Sequence, residues 1–124
     1  MKIQTGVDII EVKRIQEAIE KGGEKFLNRI YTPKEIEYCS NTGKMEYQHY
    51  AVRFAAKEAI YKAISSKIDD NEDDIFNKIE VKKDKKGKPI ADLSRLNIKG
   101  IIDMDLSLSH LEEYAVASFT ILFE

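Results

Sequence analysis

Cysteine and histidine are nearly absent: Cys39, His49 and His110 are the only three among 124 residues. A lone thiol forms no internal disulfide, and without a Cys/His cluster it makes no zinc site, so Cys39 is expected to be a spectator in a reducing compartment. Long apolar runs are missing too. No stretch approaches the ~20 residues of a membrane-crossing helix. Met1–Gly6 has no long apolar run after its basic start, so no signal peptide is expected. A cytoplasmic location without membrane association is therefore expected. Excess charge is lacking as well, and a formal net charge of −2 argues against nonspecific nucleic-acid binding. No glycine-rich phosphate loop, nucleophile elbow, CxxC pair or zinc-binding histidine pair occurs.

What is present suits one globular domain over residues 1–124. Hydrophobic residues make up 43% and charged residues 34%, enough apolar content for one core. A core of this size leaves self-association as a useful source of further burial. Ile3, Thr5, Val7 and Ile9 alternate with Gln4, Gly6 and Asp8, the pattern of a half-buried strand with Asp8 on the face opposite the isoleucines. From Glu11, Val12, Ile15, Ala18 and Ile19 follow helical spacing, and Gly22-Gly23 is expected to stop that helix. Phe26 to Tyr31 then form a short helical turn. Thr32-Pro33-Lys34-Glu35 has the form of a capping box with proline at the first helical position.

The strongest helix runs from about Met45 to Ser66, without Gly or Pro and with alanine at 51, 55, 56, 59 and 63. The acidic run Asp69–Asp74 is expected to be a solvated loop; it lacks the spaced ligands and glycine of a calcium loop. Ile79–Lys82 and Pro89–Ala91 flank a basic hairpin tip, and Leu93–Lys99 is expected to form a short helical patch. Met104–Ser109 and Tyr114–Phe123 make a closing hairpin. The expected fold is α+β: one small domain with a long central helix packed on antiparallel strands.

At 100° per residue, Glu58 and Lys62 project within about 40° of each other, and Glu58 lies within about 20° of the Ala51 direction. They could be an ordinary i,i+4 pair on an exposed face. Arg53 and Lys57 fall on another side, where solvent or a ligand could meet them. Asp8, just before a helix, could be an N-cap. Joined to Glu58, it would instead supply two hard oxygen ligands, as Mg²⁺ takes when phosphate oxygens complete its shell. His110, at a strand end, could be a surface hydrogen-bonding residue or a catalytic one. Lys82, Lys83, Lys85, Lys86 and Lys88 could solubilise the hairpin tip or meet a phosphate-rich ligand. Spacing alone supports a small α+β domain with a candidate metal site.

Four motifs in order go further. Gly6-Val7-Asp8-Ile9-Ile10-Glu11-Val12-Lys13-Arg14-Ile15 resembles the GxDIxxxxRI signature of holo-[acyl-carrier-protein] synthases, the short, single-domain 4′-phosphopantetheinyl transferases. Arg53-Phe54-Ala55-Ala56-Lys57-Glu58-Ala59-Ile60-Tyr61-Lys62-Ala63 resembles their RFAAKEAxxKA helix. Gly87-Lys88-Pro89 resembles their GKP hairpin, and Ser107-Leu108-Ser109-His110 with Tyr114-Ala115-Val116-Ala117 resembles the closing SxSH…YAxA hairpin.

The resemblance implies transfer of the 4′-phosphopantetheine arm of coenzyme A to a serine of an acyl carrier protein, in fatty acid biosynthesis. By it, Asp8 and Glu58 would ligate Mg²⁺, Lys62 would sit near the same phosphates, and Glu58 is the candidate base. A homotrimer is implied, with active sites between subunits. Asp8, Glu58 and Lys62 would come from one subunit, and Gly87, Lys88, Pro89 and His110 from its neighbour. Arg53 and Phe54 would help hold the nucleotide. Arg14, Lys25, Phe26 and Arg29 would grip the acidic carrier. Lys25 stands where the family commonly has arginine, keeping the charge but losing the bidentate fork. Two rival readings stand beside this one: a metal-dependent phosphohydrolase using Asp8 and Glu58 to activate water, and a noncatalytic module binding nucleotides or acidic proteins.

Overall fold

In the computed structural model, which describes residues 1–124, the alternation at the N-terminus becomes strand β1, Lys2–Glu11. Its apolar row faces outward: Ile3, Val7 and Ile9 are 65%, 60% and 67% exposed. Gly6 and Asp8 lie on the other face, under helix α3, Glu46–Ile64. Gly6 explains the inversion. A Cβ built there would lie 1.8 Å from the Ala59 carbonyl oxygen, so only glycine lets helix and strand approach this closely.

β1 pairs antiparallel with β5, Tyr114–Phe123, which pairs antiparallel with β4, Ile101–His110, giving the order β1-β5-β4. Ala115, Ala117, Phe119, Ile121 and Phe123 on the inner face of β5 are buried, as are Ala51, Ala55, Ala56, Ala59 and Ala63 of α3. The alanine stripe is thus consumed within the chain, where small side chains meet the sheet. A separate two-stranded hairpin joins β2, Glu80–Lys83, to β3, Pro89–Asp92. The result is the expected α+β architecture, helices on one face of an antiparallel sheet.

Gly22-Gly23 interrupts the first helix as expected. Within α1, Val12–Ile30, the regular helix breaks at Gly23, whose φ of 57° and ψ of −145° are non-helical and open to glycine, and a second helical run carries Phe26 to Ile30. Other local expectations need correction. Leu93–Lys99 is not helical. It makes one turn, with Leu96 N–H donating to Leu93 at 3.0 Å, anchored by burial of both leucines. The acidic run holds a short helix, α4, Glu72–Ile75. The capping box forms as expected at the start of α2, Pro33–Ser40, with both Thr32 and Glu35 bonds present.

Candidate active site

α3 crosses β1 at Gly6, so Asp8, two residues on, and Glu58, beside Ala59, are carried to the same place. With Lys62 they line a cleft of about 430 Å³ between β1, α1 and α3, together with Arg14, Phe26 and Phe54. Asp8 is not an N-cap. α1 begins at Val12 with Glu11 in the cap position and no side-chain cap bond. Nor is Lys62 half of a helix ion pair: its ammonium crosses to β1, donating to the Val7 carbonyl at 2.9 Å and to Asp8 Oδ1 at 3.2 Å.

Glu58 is half-buried, and its carboxyl is pushed up to about 8, chiefly by burial. A hydrogen bond to Glu72 and the charges of Glu72 and Asp8 push the same way; Lys62 opposes them. Glu72, on α4, was not a sequence-level candidate, since it sat in a run that looked solvated. No group of three or more His, Cys, Asp or Glu side chains is arranged as a metal cage. The chemistry of the donors nevertheless suits a divalent cation. Asp8 and Glu58 are hard carboxylates brought into one cleft, where the Asp8 charge opposes ionisation of Glu58 and a cation would relieve it, the setting Mg²⁺ takes when it keeps water and phosphate oxygens.

The other predicted residues lie elsewhere in the chain. Arg53 and Lys57 do not meet solvent: they are 3% and 0% exposed. They lie on the inward side of α3, facing α2 and the β2–β3 hairpin, where helix spacing had allowed solvent or a ligand and the fold instead packs protein. The Arg53 guanidinium lies 4.5 Å from the Tyr38 ring centroid, and its Nε has no hydrogen-bond partner. Lys83 donates to the Tyr38 hydroxyl, and the His49 ring packs edge-on against Tyr38 and His110, at 5.4 and 5.2 Å. His110 Nδ1 pairs with Gln48 Oε1 at 2.8 Å. Burial foremost, with Arg53 next, holds the His49 imidazole down at about 4; His110 is lowered by the same causes. This Arg53–His110 cluster is cationic and aromatic, and it is separate from the Phe54 side of the helix. Tyr38, His49 and Lys83 join it only through folding.

Gly87, Lys88 and Pro89 form the hairpin tip and the start of β3. Asp84 shapes the tip, its Oδ1 accepting from the backbone N–H of Lys86 and Lys88 at 2.8 and 2.9 Å. Lys88 Nζ reaches Asp105 on β4 at 2.7 Å, beside a second cavity of about 290 Å³. Arg14 and Phe26 border the Asp8 cleft, while Lys25 and Arg29 are exposed on the second half of α1, with Arg29 5.9 Å from the Phe26 ring. Cys39 is buried, its thiol pushed up to about 12 chiefly by burial, and is no nucleophile.

Comparison with known proteins gives a consistent result. A family model described as 4′-phosphopantetheinyl transferase superfamily matches residues 4–118. The holo-[acyl-carrier-protein] synthase of Ruminiclostridium cellulolyticum is 46% identical over 122 residues, covering 94% of this chain and 90% of that protein. Among solved structures, a holo-(acyl-carrier-protein) synthase from Bacillus anthracis in complex with CoA (3′,5′-ADP) superimposes with a TM-score of 0.76 at 35% identity, over 95% of this chain and 94% of that one. The holo-[acyl-carrier-protein] synthase from Neisseria meningitidis gives 0.81 at 35% identity, over 96% and 97%.

Proposed function

The chain belongs to the 4′-phosphopantetheinyl transferase superfamily, and we propose from this that residues 1–124 are one transferase domain acting as a holo-[acyl-carrier-protein] synthase. It moves the 4′-phosphopantetheine arm of coenzyme A to a serine of apo-acyl carrier protein and releases adenosine 3′,5′-bisphosphate. The observation that carries the reading is the convergence of Asp8, Glu58 and Lys62 in one cleft with Arg14, Phe26 and Phe54 at its border.

In the proposed mechanism the carrier's serine oxygen attacks the β-phosphorus, and the bond from that phosphorus to the bridging oxygen breaks. The leaving bisphosphate keeps the electron pair. Glu58, standing in the cleft with Asp8 and Lys62, accepts the hydroxyl proton directly or through a bound water. Asp8 and Glu58 would hold Mg²⁺, which when bound supplies positive charge to the pyrophosphate. Lys62, held on Asp8 and the Val7 carbonyl, would swing its ammonium onto the same phosphates. Phe54 walls the cleft against water.

The remaining predicted contacts support an assembly. Arg53, Gly87, Lys88, Pro89 and His110 stand apart from the Asp8 cleft of their own chain, and a neighbouring copy is the source that would bring such groups to it. The exposed Ile3, Val7 and Ile9 row offers the contact face for a homotrimer. Arg14, Lys25, Phe26 and Arg29 on α1 form the docking surface for an acidic carrier. The proposed setting is the cytoplasm and the process fatty acid biosynthesis; no helix is long and apolar enough to cross a membrane.

Purified protein, coenzyme A, Mg²⁺ and apo-carrier should yield a carrier heavier by one phosphopantetheine arm, read by intact mass, and omission of Mg²⁺ should stop the reaction. No shift with any of several carriers would sink the reading. Breakdown of coenzyme A without carrier would point to a phosphohydrolase.

A further inference from the structure

Behind the cleft, on the other side of α3, the proposed mechanism leaves a buried ion pair unused. Lys57 and Glu35 are 0% and 2% exposed, and their charged atoms meet at 2.8 Å. All three ammonium protons of Lys57 are committed: to Glu35 Oε1, to the Phe76 carbonyl at 2.7 Å and to the Ile79 carbonyl at 2.5 Å. Glu35 is equally committed, accepting from Thr32 N–H through Oε1 and from Val81 N–H through Oε2, both at 2.8 Å.

We propose that Lys57 and Glu35 are positioning residues for the coenzyme A site, tethering residues 76–81 so that the Phe54 wall and the Gly87–Pro89 hairpin stand in register. This rests on the functional reading above. The tether acts on both sides of its grip. Upstream, the Phe76 ring packs edge-on against Phe54 at 5.7 Å and 90°, and Phe54 lines the cleft with Asp8, Glu58 and Lys62. Downstream, Val81 lies in β2 opposite Ala91 of β3, so the bond from its N–H to Glu35 holds the base of the hairpin that carries Lys88.

Stability alone is a weak reason for the pair. Well-packed apolar side chains can replace a buried ion pair at no loss of stability, whereas directed bonds to two carbonyls and two N–H groups impose one geometry. Lys57 and Glu58 are consecutive, so one helix segment both presents the cleft carboxylate and fixes the wall behind it.

The test uses full-length Lys57→Met and the double variant Lys57→Met/Glu35→Gln, which leaves no unpaired buried charge. Amide hydrogen exchange without ligand should quicken about tenfold or more across residues 76–92 and stay unchanged in β1 and β5. At saturating carrier, the double variant should show a KM for coenzyme A raised about tenfold with kcat within about threefold of wild type. Uniformly faster exchange, or an unchanged KM in a folded double variant, would overturn the proposal. A wild-type protein that loads no carrier would sink the functional reading and the coenzyme A part with it. The exchange pattern would still accept or reject the tether.

Discussion

Glu58 is the residue on which charge is most finely balanced. Its folded-state value near 8 lies above the ordinary 4.5, so the folded, metal-free protein binds a proton that the unfolded chain releases earlier. That contribution to stability is complete below about 4.5 and is lost as pH rises through about 8. Chemical denaturation of metal-free protein should therefore show stability falling between those values, and Glu58→Gln should flatten the decline. A wild-type curve that rises over the same interval would show that Glu58 is not held protonated. Asp8→Ala should remove carrier loading by about a thousandfold or more while leaving the fold intact, since Asp8 pairs only with Lys62 across the cleft. Retention of near wild-type rate with Mg²⁺ would count against the carboxylate pair. Neither residue's environment was legible from spacing. The i,i+4 geometry of Glu58 and Lys62 was read correctly, yet Lys62 bonds to β1, because a strand far away in sequence offers it both a carbonyl and a carboxylate.

At the scale of elements, the helix–strand crossing sets the site. Gly6→Ala would place a methyl against the Ala59 carbonyl, forcing α3 away from β1 and moving Asp8 from Glu58. Such overpacking costs about 1–3 kcal/mol or more, and thermal denaturation should show the loss alongside reduced activity. An unchanged melting temperature would mean that the backbone yields more easily than the geometry implies. α1 carries the second prediction. Arg14→Glu should raise KM for the carrier about tenfold with little change in kcat, and added salt should act in the same direction, because the proposed contact pairs opposite charges. The motifs marked both elements in the sequence. The paired glycines also marked the break at Gly23, but not the direction in which the second helical run leaves it, which carries Phe26 back to the cleft.

For the whole molecule, the open question is what covers the outer sheet face. Ile3, Val7 and Ile9 project from β1 away from the core, so changing them should spare the monomer's interior. If the proposed homotrimer forms through this face, Val7→Lys should convert three 14.3 kDa chains to single chains in sedimentation experiments, and carrier loading should fall with it. A Val7→Lys protein that remains trimeric would place the interface elsewhere. The same face shows what alternation leaves open. Period two shows that one row of a strand is apolar, but not whether the core or another chain receives it.

By itself the sequence determined the main strands and long helices, the capping box, the closing hairpin and the family, because these rest on local periodicity, turn chemistry and contiguous motifs. The short Glu72–Ile75 helix and the non-helical Leu93–Lys99 segment did not follow from it. Only the tertiary structure decided that Gly6 yields its side-chain space to α3, that Lys62 reaches Asp8, and that Glu72 presses on Glu58. It also decided that Arg53 and Lys57 are buried. Glu35 shows the division within one residue. Its capping role follows from standing three places after Thr32. Its bonds to Lys57 and Val81, 22 and 46 residues away, depend on which elements the core brings together.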